Sequence, residues 1–251
     1  MSTRFPTRKC MIILFWILVW QAASMGISND LVLVGPWEVV CSLFSLVPTP
    51  DFWRSVGGSF GRICTGFLSA FCLGLFLGSL AFRFSLVREL LEPVMVLMKS
   101  VPVASFVVLA LIWMGSENLS VLISFLMVLP ILYTHTAAGL AATDPKLLEM
   151  AQVFAASPFR KLRYIYLPTL FPHIVNSCRV ALGMSWKSGV AAEIIGLAEL
   201  SLGERLYMAK IYLDTAGLFA WTVTIVLVSF LFEKAVLWLF RKFAQWRPYP
   251  V

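Results

Sequence analysis

The chain has 251 residues, of which 60% are hydrophobic and only 13% charged, and its mean hydropathy is +0.87. Soluble domains are about 45–50% apolar and about 25% charged, so this composition excludes a soluble globular enzyme. The basic residues behind the net charge of +7 cluster at one set of predicted helix ends. This placement predicts a lipid bilayer as the surroundings and no nucleic acid as a partner.

Six apolar runs are long enough to cross a bilayer as helices. Backbone amides in hydrocarbon must be hydrogen-bonded within the chain, so apolar runs of about 17–25 residues indicate spanning helices. The six predicted spans are Cys10 to Ile27, Ser55 to Phe82, Leu91 to Met114, Leu119 to Leu140, Phe171 to Ala192 and Leu218 to Phe240. We therefore predict an all-α, polytopic membrane protein with about six transmembrane helices.

The predicted division of the chain is an N-terminal part, residues 1–54, with the first span and an outer loop, and a core of five spans in residues 55–251. The first apolar run follows basic residues and ends near a weak small-residue cleavage site, so it could be a cleaved signal. An uncleaved span is favoured because the run extends to Ile27 and contains tryptophan.

Lysine and arginine predict the orientation of the chain, because cytoplasmic loops carry an excess of them. The predicted inner segments contain Arg4, Arg8, Lys9, Arg83, Arg88, Lys146, Arg160, Lys161, Arg163, Arg241, Lys242 and Arg247. The predicted outer segments contain Arg54, Arg205 and Lys210, together with Asp30, Glu38, Asp51, Glu117, Glu193, Glu199, Glu204 and Asp214. Both termini are therefore predicted to face the cytoplasm.

Glycines spaced four apart mark two faces of the second span, Gly57 with Gly61 and Gly74 with Gly78. Such pairs let helix backbones approach closely, and packing inside one bundle is favoured here over dimerisation. Prolines that could kink helices around a pathway lie at Pro93, Pro102 and Pro130.

The connection between the fourth and fifth spans, residues 141–168, is too long for a simple turn. Asp144 with Pro145, and later Ser157 with Pro158, each combine an N-cap with a proline at the first helical position. Two short helices that meet at Ala155 and Ala156 are therefore predicted.

Two interpretations of this connection follow from the pattern alone. Leu148, Ala151 and Ala155 share one face of the first short helix, while Glu149 lies off that stripe and could meet a partner. Either the loop packs under the bundle, with its basic residues obeying the charge rule, or it forms a surface on which another protein docks. The pattern favours neither.

The same connection resembles the cytoplasmic loop motif of permeases from binding-protein-dependent ABC importers. That motif reads Glu-Ala-Ala, three residues, Gly, and a later Leu-Pro. Here the matching segments are Glu149-Met150-Ala151, Ala155-Ala156-Ser157 and Leu167-Pro168. The resemblance implies a loop that sits in a groove of a separate ATP-hydrolysing subunit and transmits movement to the spans. The residues implied in this contact are Glu149, Ala151, Ala155, Ala156, Ser157, Phe159, Arg160, Leu167 and Pro168.

Two positions depart from the motif. Ala155 stands where glycine is usual, and a left-handed backbone there would cost an L-residue about 1–2 kcal/mol, so a local difference in the turn is expected. Met150 replaces an alanine, which an adaptable side chain tolerates. Within the motif, Glu149 would meet an arginine or backbone amides of the partner, and Ser157 would hold the angle between the two short helices.

The similarity extends from about residue 55 to the C-terminus and points to the nitrate, sulfonate and taurine branch of this family. The matching segments are Ser59-Phe60-Gly61-Arg62 with Gly66, Glu92-Pro93 with Ser100-Val101-Pro102, Ile112-Trp113-Met114-Gly115, Gly183-Met184-Ser185-Trp186 and Ala191-Ala192-Glu193. Their combination is specific, although each piece alone is weak.

The resemblance implies a type I ABC importer permease in a bacterial plasma (inner) membrane. Its implied partners are two copies of an ATP-binding subunit, a second permease chain that forms a homodimer, and an extracytoplasmic substrate-binding protein. No cofactor is implied for this chain; ATP and Mg²⁺ would be bound by the partner, since the sequence lacks a Gly-x-x-x-x-Gly-Lys-Ser/Thr loop. The implied substrate is a small anion or polar solute, such as nitrate, a sulfonate, taurine or bicarbonate.

Polar residues inside the spans usually face a cavity or a partner, because charges in hydrocarbon are expensive. The predicted translocation pathway consists of Lys99, Ser100, Trp186, Lys187, Ser188 and Glu193. The alternative is that such residues pair within the bundle or extend to the interfaces. This alternative is favoured for Arg179, Glu233 and Lys234, and for Lys187 the two interpretations are balanced.

Other function classes find less support in the sequence. A membrane-embedded enzyme would need clustered Ser/His/Asp, cysteine pairs or carboxylates, and His135 and His173 have no carboxylate at ligand spacing, so no metal site is predicted. An ATP-independent carrier or channel would not need the long capped loop.

Overall fold

A computed structural model describes residues 5–27, 29 and 31–245, and every regular element within these residues is a helix. The helices are α1 (Phe5–Ile27), α2 (Pro36–Leu46), α3 (Pro50–Arg83), α4 (Ser85–Ser100), α5 (Val103–Met114), α6 (Leu119–Ala141), α7 (Pro145–Val153), α8 (Pro158–Lys161), α9 (Leu167–Gly196), α10 (Leu202–Ile211) and α11 (Thr215–Gln245). Part of the predicted orientation rests on Arg4, Asp30 and Arg247, which lie outside the described residues, as do the side chains of Arg8 and Lys9.

Four helices are long and apolar enough to cross a bilayer, in the segments Cys10–Ile27, Pro50–Arg83, Leu119–Ala141 and Thr215–Lys242. They contain the predicted first, second, fourth and sixth spans. The predicted fifth span lies in α9, whose 30 residues give a length of about 45 Å. α9 is not among the apolar helices, because Arg179, Lys187 and Glu193 lower its hydropathy.

The predicted third span, Leu91 to Met114, is not one continuous helix. α4 ends at Ser100 and α5 begins at Val103, and the two helices are bent by 104° across the break. Pro102 has no N–H to continue the helix, and it biases the preceding residue toward extended backbone. Val101 adopts that backbone, with φ −74° and ψ 130°. Lys99 and Ser100 therefore lie at a bend rather than in the middle of a straight span.

The centre of the bundle is α6, which packs against α3 and α9. Gly74 and Gly78 of α3 make one contact possible, since an added Cβ would lie 2.7 Å from the Cβ atoms of Leu132 and Thr136 respectively. Packing within one bundle, as predicted for Gly74 and Gly78, is confirmed. Gly57 and Gly61 differ, because an added Cβ there meets nothing within 4 Å.

The second of the two short helices predicted in the loop is not a separate element. α8 continues through a π-helical turn, Leu162–Tyr166, directly into α9. Pro168 has no N–H to bond the carbonyl group of Tyr164, and a wider turn accommodates that missing bond. The loop therefore contains one independent short helix, α7, followed by the N-terminal extension of α9.

The two ends of the bundle are distinguished by the antiparallel pairing of α6 and α9. Gly139 lies beside His173, and Gly196 lies beside Leu119 at the opposite end. The connection with α7 and α8 is therefore at one end, which we name the loop end. The other end, where α3 begins and α9 finishes, is named the distal end, and α10 lies there.

Candidate functional site

The caps predicted in the connection are present. The Asp144 Oδ1 atom accepts a hydrogen bond of 2.9 Å from the Lys146 amide, and Ser157 Oγ accepts one of 3.4 Å from the Arg160 amide. Pro145 and Pro158 occupy the first turn of α7 and α8, as predicted. These caps satisfy amide groups that have no partner within a helix.

Ala155 adopts a left-handed backbone, with φ +46°. The amide of Ala156 donates to the carbonyl of Ala151 at 2.9 Å, and the amide of Ala155 donates to Gln152 at 2.9 Å. This pattern closes the C-terminus of α7 in the way that a glycine usually does. The local difference that alanine led us to expect at this turn is not seen, and the strain of the left-handed residue is retained instead.

α7 buries one face and exposes the other. Ala151 is buried against the bundle and Leu148 is half-buried, whereas Glu149 and Ala155 are exposed. Val153 and Phe154 are 82% and 76% exposed, and Phe159 on α8 is 68% exposed. These three side chains, which we name the apolar face, lie at the loop end, and the part of the chain that the structure describes leaves them largely exposed.

Sequence reasoning included Phe159 but missed Val153 and Phe154. Their signal was available, because two apolar residues lie off the stripe of Leu148, Ala151 and Ala155. Of the other predicted contact residues, Ala156 is half-buried and Ser157 and Arg160 are exposed. Leu167 and Pro168 lie at the start of α9, away from α7 along the chain.

The six predicted pathway residues fall into two groups. Lys99, Ser100 and Lys187 are exposed on the surface of this chain. Trp186, Ser188 and Glu193 are 2%, 3% and 0% exposed. Trp186 packs against the rings of Phe60 and Phe232, so in this conformation the second group presents no surface to a pathway.

Lys99 and Lys187 lie at different depths in the bundle. The Lys99 Nζ atom donates a hydrogen bond of 2.8 Å to Thr134 Oγ1 on α6. Lys187 lies two residues after Ser185 on α9, and the Ser185 carbonyl accepts a hydrogen bond of 3.1 Å from Ser124 Oγ on α6. Lys187 is therefore at about the level of Ser124. Ten residues of α6 separate Thr134 from Ser124, which is about 15 Å along the helix. The two lysines therefore lie at separate levels of the bundle and do not form a single site.

Two motifs that carried the family resemblance converge at the distal end. Ser59 and Arg62 come from the first motif and Glu193 from the last, and they are far apart in the sequence. The Ser59 hydroxyl donates to Glu193 Oε2 at 2.6 Å, and Arg62 Nη1 lies 3.9 Å from Glu193 Oε1. Because Glu193 lies inside α9, it does not belong to an outer connecting segment, where the sequence analysis had placed it.

Solved structures with a similar fold are ABC transporters. An inward-facing structure of the MetNI methionine ABC transporter aligns with a TM-score of 0.59 at 16% identity, covering 76% of this chain and 93% of that one. A bacterial ABC transporter involved in the import of the acidic polysaccharide alginate aligns with a TM-score of 0.59 at 17% identity, covering 92% of this chain and 94% of that one. The predicted all-α fold of an importer permease is confirmed.

Curated relatives align over most of the chain. The putative aliphatic sulfonates transport permease protein SsuC of Bacillus subtilis is 29% identical over 235 residues, which are 92% of this chain and 84% of that protein. The taurine transport system permease protein TauC of Escherichia coli is 27% identical over 233 residues, which are 90% of this chain and 84% of that protein. These relatives confirm the predicted sulfonate and taurine branch.

A family model described as the binding-protein-dependent transport system inner membrane component matches residues 70–245. With the apolar helices, this match makes the chain a multi-pass membrane protein. Its relatives are permease components and not enzymes, and ATP hydrolysis is the activity of a partner subunit. The chain thus belongs to the binding-protein-dependent inner membrane transport components, as the permease subunit of an ABC importer.

Proposed function

We propose that the apolar face of α7 and α8 is the surface on which the separate ATPase subunit docks, and that movement there drives alternating access of the spans. The observation that carries this proposal is the exposure of Val153, Phe154 and Phe159. Exposed apolar patches rimmed by polar residues mark protein interaction sites. Glu149 and Arg160 are exposed on the same two helices and supply charges that a partner can pair.

The distribution of charge supports a cytoplasmic loop end. The loop end has the basic residues Arg83, Arg88, Lys146, Arg160, Lys161, Arg163, Arg241 and Lys242, whereas the distal end has only Arg54, Arg62, Arg205 and Lys210 among the described residues. Because cytoplasmic segments carry the excess of lysine and arginine, α7 faces the compartment that contains ATP. α1 begins and α11 finishes at the loop end, so both termini are cytoplasmic.

Two copies of the chain enclose the pathway in this proposal. Lys99 and Lys187 are exposed on one chain, level with Thr134 and Ser124 of α6, a helix long and apolar enough to cross a bilayer. A charged side chain at such a level faces a cavity or another protein rather than lipid. A second permease chain, identical to the first, would cover this surface. Each permease has one α7, so the importer contains two ATPase subunits, which bind ATP and Mg²⁺.

The charges on this surface favour an anionic substrate. Lys99, Ser100 and Lys187 are its exposed members, and the break at Pro102 leaves the first amide groups of α5 without helical partners. Sulfonates, taurine, nitrate and bicarbonate share a negatively charged oxygen group that lysine and amides can bind. A sulfonate such as taurine, delivered by an extracytoplasmic binding protein, is the proposed substrate because the relatives SsuC and TauC are named for aliphatic sulfonates and taurine.

Co-purification with the product of the neighbouring ATPase gene tests the docking surface. Phe154→Asp places a charge in the apolar face and should reduce the recovered ATPase about tenfold or more, since a buried phenylalanine contributes about 1.5–3 kcal/mol. Tyr212→Asp is the matched control, because Tyr212 is equally exposed, at 78%, but lies at the distal end. It should leave the complex intact.

Glu149→Arg tests the charged part of the same surface and should also weaken the complex. A single symmetric peak of each variant in size-exclusion chromatography shows that the permease itself is folded. If the ATPase is retained at the unmodified level by both Phe154→Asp and Glu149→Arg, the docking role is contradicted.

A further inference from the structure

The segment from Leu197 to Asp214, which we name the distal segment, is attached to one face of α3. The Leu202 amide donates a hydrogen bond of 2.8 Å to Ser59 Oγ. One turn further along α3, Arg62 Nη2 donates one of 2.8 Å to the Glu199 carbonyl. Gly58, the residue before Ser59, faces the Leu200 carbonyl so closely that an added side chain would collide with it.

Glu193 connects the same segment to α9. Its side chain is 0% exposed, and its Oε2 atom accepts hydrogen bonds from Ser59 Oγ at 2.6 Å and from the Gly203 amide at 3.3 Å. Gly203 has no side chain, and an added Cβ would collide with Glu193. One carboxylate of α9 therefore contacts α3 and the N-terminus of α10 at a point that solvent does not reach.

Arg62 supplies the charge that faces this carboxylate. Its Nη1 atom lies 3.9 Å from Glu193 Oε1, and both atoms are buried with no hydrogen-bond partner among the described residues. Ser120 of α6 has a buried hydroxyl that also faces Glu193. Because a buried charge whose partner is removed is strongly destabilising, the buried Glu193 carboxylate depends on Arg62, whose side chain is 21% exposed, to remain inside the bundle.

We propose that Arg62, Ser59 and Glu193 form a permanent latch, which holds the distal segment, α3 and the end of α9 together as one rigid body throughout the transport cycle. A contact that opens in every cycle would remove the partner of the Glu193 carboxylate each time, which is unfavourable because that carboxylate is 0% exposed, although Arg62 itself is 21% exposed. Opening of the distal end therefore takes place between chains or along the surface of Lys99 and Lys187. Glu193 is a positioning residue in this proposal, and it does not touch the substrate.

The backbone conformation of the distal segment indicates that its contacts with the bundle fix this segment in place. Leu197 and Leu200 are both left-handed, at φ +51°, a conformation that leucine adopts only where surrounding contacts over-determine it. A second attachment lies at the edge, where Arg205 contacts Asp51 at 3.4 Å and Ser55 at 3.2 Å.

A reversible cross-link at this edge tests the rigid body directly. Asp51→Cys and Arg205→Cys are introduced after the native cysteines Cys10, Cys41, Cys64, Cys72 and Cys178 have been replaced. A short bis-thiosulfonate reagent then joins the two new thiols in the complex with its ATPase in nanodiscs, and dithiothreitol removes the link. ATP hydrolysis is the measured activity, so no substrate needs to be identified.

Cross-linking should leave the rate of ATP hydrolysis within about twofold of the reduced sample, because the joined elements do not separate. Glu193→Gln, which keeps a similar shape but removes the charge opposite Arg62, should lower that rate about fivefold or more with an unchanged KM for ATP. The cross-link should then restore the rate of Glu193→Gln, since a covalent bond replaces the lost latch. A role in folding alone would not be restored in this way.

Two results would overturn the latch. One is loss of most ATP hydrolysis on cross-linking in the background with native Glu193, which means that the distal segment must move relative to α3. The other is a Glu193→Gln complex that the cross-link does not restore. The proposal rests on the importer function for its assay, and a permease that fails to co-purify with the ATPase contradicts the proposed docking rather than the latch.

Discussion

The Nζ atom of Lys99 donates a hydrogen bond of 2.8 Å to Thr134 Oγ1, and this bond joins the bend between α4 and α5 to α6. The Thr134 hydroxyl in turn donates a hydrogen bond of 2.7 Å to the Pro130 carbonyl, which in a regular helix accepts from the Thr134 amide. The bond fixes a positive charge at an exposed site within the membrane-crossing part of the chain. Lys99 is therefore held against α6 rather than extended toward an interface, which suits the anion-binding role that we propose for it.

Lys99→Met should lower the uptake of radiolabelled taurine into proteoliposomes about tenfold, which corresponds to ~1.4 kcal/mol. The charge is lost although the length of the side chain is nearly kept. Lys99→Arg should retain most of the uptake. Lys234→Met is the matched control. Lys234 is also exposed, and its ammonium group lies over the ring of Phe230 on its own helix. Equal uptake by Lys99→Met and Lys234→Met would contradict a pathway role.

Ala155→Gly should stabilise the end of α7. A left-handed L-residue costs about 1–2 kcal/mol, of which the greater flexibility of glycine in the unfolded chain offsets about 0.5–1 kcal/mol. Hydrogen exchange of the Ala156 amide, which bonds Ala151, should therefore slow about two- to fivefold. Ala156→Gly removes a side chain from a residue without positive φ and should accelerate exchange in the same loop. A faster exchange in Ala155→Gly would show that the left-handed turn carries no strain.

The local chemistry of the loop was predictable and its exposure was not. Asp144 and Ser157 are caps because their side chains and the following prolines act within one turn, which the sequence displays directly. The exposure of Val153 and Phe154 depends on which face of α7 the bundle covers, and this is decided by residues distant in the sequence. Likewise, nothing in the sequence around Ser59 and Glu193 indicated that these two residues, which are 134 positions apart, form a hydrogen bond.

The broken third span illustrates a different limit. Its apolar length matched a spanning helix, and Pro102 was visible as a possible kink. Whether a proline bends a membrane helix slightly or breaks it depends on neighbouring groups that satisfy the freed backbone. Beside the break, the Lys99 side chain bonds the Thr134 side chain of α6, and this contact is tertiary. The burial of Trp186 is tertiary in the same sense, since Phe60 and Phe232 come from two other helices.

Gly78→Ala should destabilise the bundle. The added Cβ would lie 2.7 Å from the Cβ of Thr136 and 2.8 Å from the carbonyl oxygen of Tyr133, and overpacking of this kind costs about 1–3 kcal/mol. Gly57→Ala is the control on the same helix, where the added group meets nothing within 4 Å. There the higher helix propensity of alanine, about 1 kcal/mol, should raise the melting temperature slightly. Fluorescence-detected size-exclusion after heating in detergent measures both, and equal melting temperatures would contradict the α3–α6 packing.

Labelling of single cysteines tests the orientation of the bundle. Phe154→Cys at the loop end and Tyr212→Cys at the distal end are similarly exposed, at 76% and 78%, so a difference between them reports the side of the membrane rather than burial. In intact cells without the ATPase gene, a membrane-impermeant maleimide should label Tyr212→Cys, while Phe154→Cys should react only after permeabilisation. This outcome follows from the basic loop end.

Co-expression of the ATPase adds the decisive comparison to the same experiment. After permeabilisation, Phe154→Cys should be protected when the ATPase is present and reactive when it is absent, because the docked subunit covers the apolar face. Tyr212→Cys should react equally in both strains. Labelling of Phe154→Cys in intact cells would contradict the proposed orientation. It would also contradict docking of the ATPase on α7. Protection that is independent of the ATPase would instead mean that another protein occupies that surface.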